Sequence, residues 1–223
     1  KKSVDEDVEL KSMTVSKNVF DLDIDIFESI KIYTAQVAYK VSNSLVVSGA
    51  AGLGKTSDVE NTLSDMRVDY VPIAGDITTS GLFEILFLNR DKLIVFDDID
   101  SVFDEKASIN LLKAVLDTKP KRKVSRILKT HFDSFTINDK QIQEKYEETG
   151  KLPKQFEFTG RIIFITNVAG DKLDDALISR SLYVDVNPKL PEIITRIKTI
   201  MPKIQPNVPI NKKEEVVDFM IML

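Results

Sequence analysis

The chain has 223 residues, 43% of them apolar, and 31 basic against 35 acidic side chains give a formal net charge of −4. That length and apolar content support a sizeable core and argue against disorder, while the acidic balance excludes a protein that coats nucleic acid over its whole surface, though not a local basic patch. With no cysteine and a single histidine, His131, the chain can hold neither disulfides nor thiolate-bound metal, a histidine-rich metal site is excluded, and a Ser-His-Asp triad is disfavoured.

Residues 1–19 are polar with isolated valines and suit a loose N-terminal arm. Phe20, Leu22, Ile24 and Ile26 alternate with aspartates, which predicts a short extended stretch. From Phe27 the period changes to three or four, through Ile30, Thr34, Val37, Ala38 and Val41, as on the apolar face of a helix. Short apolar runs then recur at Leu45–Val47, Val68–Ile73, Leu93–Phe96, Arg161–Ile165 and Leu182–Val186. Helical spacing lies between them at Lys55–Met66, Leu82–Leu88 and Ile109–Leu116. Strands alternating with helices predict a mainly parallel sheet covered on both faces. Residues 119–160 break this rhythm with a basic run, a polar helical piece at Asn138–Glu148 and an aromatic stretch, and read as an insertion between two sheet strands. After Pro188 the chain reads as helical, at Leu190–Met201 and from Lys212 onward. The lack of an initiator Met and an uncapped apolar end predict a piece of a larger unit. No stretch approaches 18 apolar residues and the N-terminus lacks a signal-peptide layout, so a cytoplasmic protein with no membrane partner is expected.

Residues 49–56 read GAAGLGKT, matching G-x-x-x-x-G-K-[ST]. A strand delivers the chain to a loop in which Gly49, Gly52 and Gly54 let the backbone turn and approach a polyphosphate closely. The N–H groups of Gly49, Ala50, Ala51, Gly52, Leu53, Gly54, Lys55 and Thr56 are candidates to face the phosphates, aided by the dipole of the following helix. Lys55 would reach the β- and γ-phosphates, and the Thr56 hydroxyl would bind Mg²⁺.

Leu93–Asp100 reads LIVFDDID, a buried strand with carboxylates at its C-terminal end, where ligands of open α/β sheets sit. Asp97 is placed to hold Mg²⁺ and Asp98 to orient and activate an attacking water, with Asp100 as a helper or a cap. A second buried strand, RIIFITN, ends on Asn167, which could bond a γ-phosphate or the water. Arg180, in LDDALISR just ahead of the last strand, could stabilise transition-state charge on a neighbouring subunit's nucleotide.

These four elements in this order resemble the AAA+ ATPase family over roughly Ile24 to Pro188. The resemblance implies a three-layer P-loop NTPase domain over residues 20–188, with a five-stranded sheet of order 5-1-4-3-2 and a partial helical lid over 189–223. It implies ATP and Mg²⁺ as ligands and a ring, often a hexamer, with nucleotide between subunits. Gly49, Gly54, Lys55 and Thr56 carry over as phosphate and Mg²⁺ contacts, Asp97 as the Mg²⁺ residue of Walker B, Asn167 as sensor 1 and Arg180 as the finger. Most members have D-E at the strand end, whereas this chain has Asp97-Asp98, and the lid arginine called sensor 2 has no placement here. The F-x-F-x-G-R pattern (Phe156, Phe158, Gly160, Arg161) resembles ATPases of phages and related mobile elements.

The resemblance implies ATP hydrolysis by an oligomeric module but leaves its object open. Leu82 and Phe83, after the Gly75–Gly81 loop, are candidates to grip a polypeptide or to pack in the core. Six basic residues within Lys119–Lys129 could track a phosphate backbone or form a solvated face. A protein remodeller, a nucleic-acid motor or loader, and a slowly hydrolysing switch or structural subunit all remain compatible with the sequence.

Overall fold

The computed structural model describes residues 25–222. The expected arm over residues 1–19 and the alternating stretch at Phe20, Leu22 and Ile24 lie outside them. Helix α1 spans Ile26–Ala38 and is capped by the Asp25 side chain, so Ile26 opens a helix and does not end a strand. Its apolar face is shorter than its sequence period suggested, since Val41 lies beyond the helix end and is 75% exposed. There follow β1 (Ser44–Gly49), α2 (Lys55–Asp65), β2 (Val71–Ala74), α3 (Thr79–Leu88), β3 (Leu93–Asp97) and α4 (Lys106–Val115). The chain continues through β4 (Arg122–Ser125), α5 (Asp139–Thr149), β5 (Gln155–Phe158), β6 (Arg161–Thr166), α6 (Asp175–Ile178), β7 (Leu182–Val186), α7 (Leu190–Ile200) and α8 (Ile210–Met222).

Five strands form one sheet in the order β2-β3-β6-β1-β7, parallel at every pairing. This α/β architecture carries helices on both faces, and strand alternation sorts two cores. Leu45, Val47, Leu93, Val95, Ile163 and Ile165 point to the side covered by α1 and α2. Val46, Ile94, Phe96, Ile162 and Phe164 point to the side covered by α3 and α4. The central strands are buried on both faces, which is why they read as unbroken apolar runs. Strand β2 lies at an edge, so Pro72, which has no N–H to donate, is tolerated there. In whole-chain numbering the order departs from the expected 5-1-4-3-2, because β4 and β5 leave the sheet and pair with each other as an antiparallel hairpin.

That hairpin, with α5 between its strands, makes up the insertion, and no local pattern marks β4. Its basic run is not uniformly solvated. Arg122 is only 2% exposed and donates to Val115 O at 2.7 Å, to Phe158 O at 3.3 Å and to Gly160 O. Burial lowers its pKa to about 10, still far above neutrality. Phe156 and Phe158, also buried, join Phe83 and Phe87 beneath the hairpin, and Leu82 and Phe83 are fully buried, so neither grips a polypeptide. A Cβ on Gly160 would lie 2.4 Å from Lys92 O, which only glycine avoids. Arg161 donates to Val37 O at 2.8 Å and Ala38 O at 2.6 Å, satisfying the last carbonyls of α1. Every residue of F-x-F-x-G-R thus has a structural task.

The polar helix appears as α5, with an Asn138–Gln141 capping box and a left-handed Gly150 at its end. No helix among the described residues is long and apolar enough to cross a membrane.

Removing Arg122 would strip a side-chain donor from three buried carbonyls. Arg122→Ala is expected to destabilise the fold by about 2–5 kcal/mol, against less than about 0.5 kcal/mol for the exposed neighbour Lys123→Ala. Urea denaturation of both variants checks the contrast.

Candidate functional site

The loop between β1 and α2 lies at the carboxyl edge of the sheet. Its first residue, Gly49, has φ 147°, and a Cβ there would fall 2.4 Å from Val186 O on β7. The strand therefore enters the loop pressed against its neighbour's backbone, and glycine is required. From the far end of the loop the Lys55 side chain folds back into it and is only 5% exposed. Its ammonium donates to Gly49 O at 2.7 Å, Ala50 O at 2.8 Å and Asn167 Oδ1 at 3.0 Å. Burial lowers the Lys55 pKa, and the carboxylates of Asp98, Asp97 and Asp100 oppose that shift.

Strands β1, β3 and β6 end side by side, and this juxtaposes residues far apart in sequence. Thr56 Oγ1 donates to Asp97 Oδ1 at 3.1 Å. Burial raises the Asp97 pKa, and the hydrogen bond from Thr56 partly offsets it. Asn167, at the tip of β6, donates from Nδ2 to Asp98 Oδ1 at 2.7 Å while accepting from Lys55. Asp98 sits in the left-handed region, φ 52°, and its N–H is held by Ile165 O at 3.1 Å. A non-glycine residue in that conformation carries a modest strain, here fixed by the backbone bond from β6. Asp100 caps nothing by its side chain; it accepts from Thr166 Oγ1 and binds the acidic turn to β6. Ser48 Oγ donates to Val168 O at 2.7 Å and ties the glycine loop to the Asn167 turn.

A cavity of about 310 Å³ opens onto Lys55, Thr56, Asp98 and Asn167. A larger one of about 760 Å³ adjoins it past Ala50 and Leu53, towards Tyr183 and Asn187. Among the described residues no cluster of three or more His, Asp or Glu could hold a metal through protein ligands alone. The residues present nevertheless fit a triphosphate with Mg²⁺: a buried ammonium whose acceptors are exchangeable, a hydroxyl already beside a carboxylate, and a glycine loop opening a helix N-terminus.

Arg180 stands apart from this group. It precedes β7, whereas the glycine loop follows β1, and the two strands are parallel with Leu45 opposite Leu182 and Gly49 opposite Val186. Arg180 is thus at the amino edge of the sheet, exposed, with Nη1 on Ala176 O at 2.7 Å. It cannot reach the loop of its own chain.

Sequence reasoning missed Asp58 and Arg196. Arg196, on α7, forms an ion pair with Asp58 in the first turn of α2, and its guanidinium lies 4.8 Å from the Phe27 ring centroid. These side chains are 17% and 6% exposed, and they clamp α7 beside the glycine loop. No local pattern marks a pair separated by 138 positions.

No protein-family model matches the chain. An uncharacterized 36.7 kDa protein from the nrdC-mobD intergenic region of Enterobacteria phage T4 is 35% identical over 175 residues, which cover 71% of this chain and 49% of that protein. The chain therefore spans about half the length of this phage relative.

A raised Asp97 pKa means that its charged form costs folding energy. The fold is favoured below the unfolded carboxylate range, and that benefit is lost as pH rises through the raised value. Asp97→Asn is therefore expected to melt higher than the parent at pH 7 and to show no such gain at pH 3. Thermal melts at the two pH values check it.

Proposed function

We propose that the chain is the nucleotide-binding module of an AAA+-type ATPase that binds ATP with Mg²⁺ and hydrolyses it. The observation that carries this reading is the hydrogen-bonded chain from Lys55 through Asn167 to Asp98, beside the Thr56–Asp97 pair, at the carboxyl ends of adjacent parallel strands. Two further features support it. With the inserted hairpin set aside, the five sheet strands taken in chain order stand 2-3-4-1-5, which is 5-1-4-3-2 from the other edge. The phage relative agrees with the mobile-element style of the Phe156–Arg161 segment.

In this reading the Gly49–Thr56 amides and Lys55 hold the phosphates. Thr56 and Asp97 would hold Mg²⁺, which neutralises phosphate charge. Lys55 exchanges its bonds to Gly49 O and Ala50 O for phosphate oxygens, so the loop is already shaped around a charge. Asn167 fixes the Asp98 carboxylate, which takes the proton of the attacking water. Asp98 is one methylene shorter than the usual glutamate, and its left-handed backbone sets where that shorter arm points. Arg180, remote from its own loop, acts only on a neighbouring copy, which makes an oligomer, a ring in this family, part of the proposal. The module's object is a macromolecule.

Lys55→Ala is expected to abolish binding of a fluorescent ATP analogue. Asp98→Asn is expected to keep binding but lower turnover about 10²–10⁴-fold. Arg180→Ala should leave binding to the isolated subunit intact and cut turnover of the assembled protein about 10³-fold or more. Normal turnover by Asp98→Asn would remove its role as base, and wild-type binding by Lys55→Ala would overturn the nucleotide reading itself.

A further inference from the structure

The acidic chain segregates its charge. Residues 118–160 carry 10 of the 31 basic and 6 of the 35 acidic side chains, a net +4, which leaves −8 on the remainder. The structure shows where that positive charge is displayed. In β4, Arg122 and Val124 point inward while Lys123 and Ser125 point outward, and Lys121, just ahead of the strand, is exposed. Lys119 and Lys129, at the two ends of the run, are also exposed. Glu157 pairs with Lys121 at 3.0 Å, but among the described residues Lys119, Lys123 and Lys129 enter no salt bridge.

Beside these lysines the hairpin exposes apolar surface that its own core does not use. Phe135 is 46% exposed and Ile127 is 70% exposed, although Phe156 and Phe158 of the same insertion are fully covered. Phe135 shares a cavity of about 260 Å³ with Lys121, Lys123, Asn138 and Gln155. An aromatic face, two ammonium groups and two side-chain amides in one concavity match the parts of a nucleotide: a base to stack, a phosphate to neutralise and base edges to bond. The carboxylates of Glu157 and Asp139 also line it, so the cavity alone is weakly cationic, and the exposed Lys119 and Lys129 at the ends of the run supply the further positive charge.

The hairpin is also fastened to the site. Arg122 links β4 to Val115 O at the end of α4 and to Gly160 O just ahead of β6, the strand that carries Asn167. Arg126 Nη2 donates to Ser80 Oγ at 3.2 Å, connecting the hairpin to α3.

We infer that the outer face of the β4–β5 hairpin, from Lys119 to Lys129 with Phe135, binds single-stranded nucleic acid. The inference deepens the proposed function by naming its macromolecule; it rests on that reading for the role of ATP, whereas the binding itself does not need ATP. Lysines without carboxylate partners favour a polyanion, and the exposed ring distinguishes unstacked bases from a duplex, whose bases are already stacked.

Fluorescence anisotropy of fluorescein-labelled (dT)20 and (rU)20 with the full 223-residue chain, without ATP, tests it. Neutralising three to four phosphates predicts binding at 50 mM KCl that weakens about 15- to 60-fold at 200 mM. The double variant Lys123→Glu/Lys129→Glu is expected to lose at least about tenfold in affinity, and Phe135→Ala about 5- to 100-fold. All these side chains are exposed, so thermal melts should match the parent. Preference for one of the two oligonucleotides tells DNA from RNA. The two readings separate in the parent chain itself: oligonucleotide binding without binding of the fluorescent ATP analogue would sink only the ATPase proposal. No binding at 50 mM KCl, undiminished binding by the charge-reversed variant, or equal competition by poly-glutamate or duplex DNA would each overturn the inference.

Discussion

The ammonium of Lys55, buried with three oxygen acceptors, is the interaction around which this end of the molecule is arranged. A buried charge without partners would cost several kcal/mol or lose its proton. Here two partners come from the loop's own carbonyls and the third from Asn167, which follows β6, the strand beside β1 in the sheet. That third partner, Asn167, also grips Asp98, so one side chain joins the glycine loop to the acidic turn. Any shift of Lys55 is felt at Asn167 and then at Asp98. Three strand ends are thus coupled through a single amide, and a ligand that competed for Lys55 would act on all of them.

The parallel sheet makes this coupling possible. Strands β3, β6 and β1 are neighbours in register, with Asp97 opposite Ile165 and Ser48 opposite Thr166. Their carboxyl ends therefore arrive at one edge, and the residues that follow them must meet. Further bonds, Thr166 to Asp100 and Ser48 to Val168, hold the three turns together without using the exposed carboxylates and amides at the cavity. The hairpin is fixed to the same frame from behind. Arg122 reaches the residue before β6 and the last turn of α4, so the insertion is part of the core and not an appendage.

Much of the fold was legible because the strands are buried on both faces. Leu45–Val47, Leu93–Phe96 and Arg161–Ile165 are continuous apolar runs for that reason. The edge was read less well: Val68 precedes β2, which is shifted to Val71–Ala74 and is only half buried. Strand β4 was invisible, since R-K-V-S reads as a charged turn, and nothing local indicates that Arg122 has three carbonyls waiting up to 38 positions away. The juxtaposition of Lys55, Thr56, Asp97, Asp98 and Asn167 followed from motifs that each end a strand. The Asp58–Arg196 clamp did not, because it joins α2 to α7 and depends on how the last helices fold back over the loop.

The central claim is that the Gly49–Thr56 backbone wraps a triphosphate. Amide hydrogen exchange on this chain, with and without Mg²⁺ and ATP, tests it most directly. The account predicts strong new protection confined to the amides of residues 50–57, with smaller changes at Asp98 and Asn167. Unchanged exchange across that loop at saturating nucleotide, or protection appearing elsewhere, would contradict it.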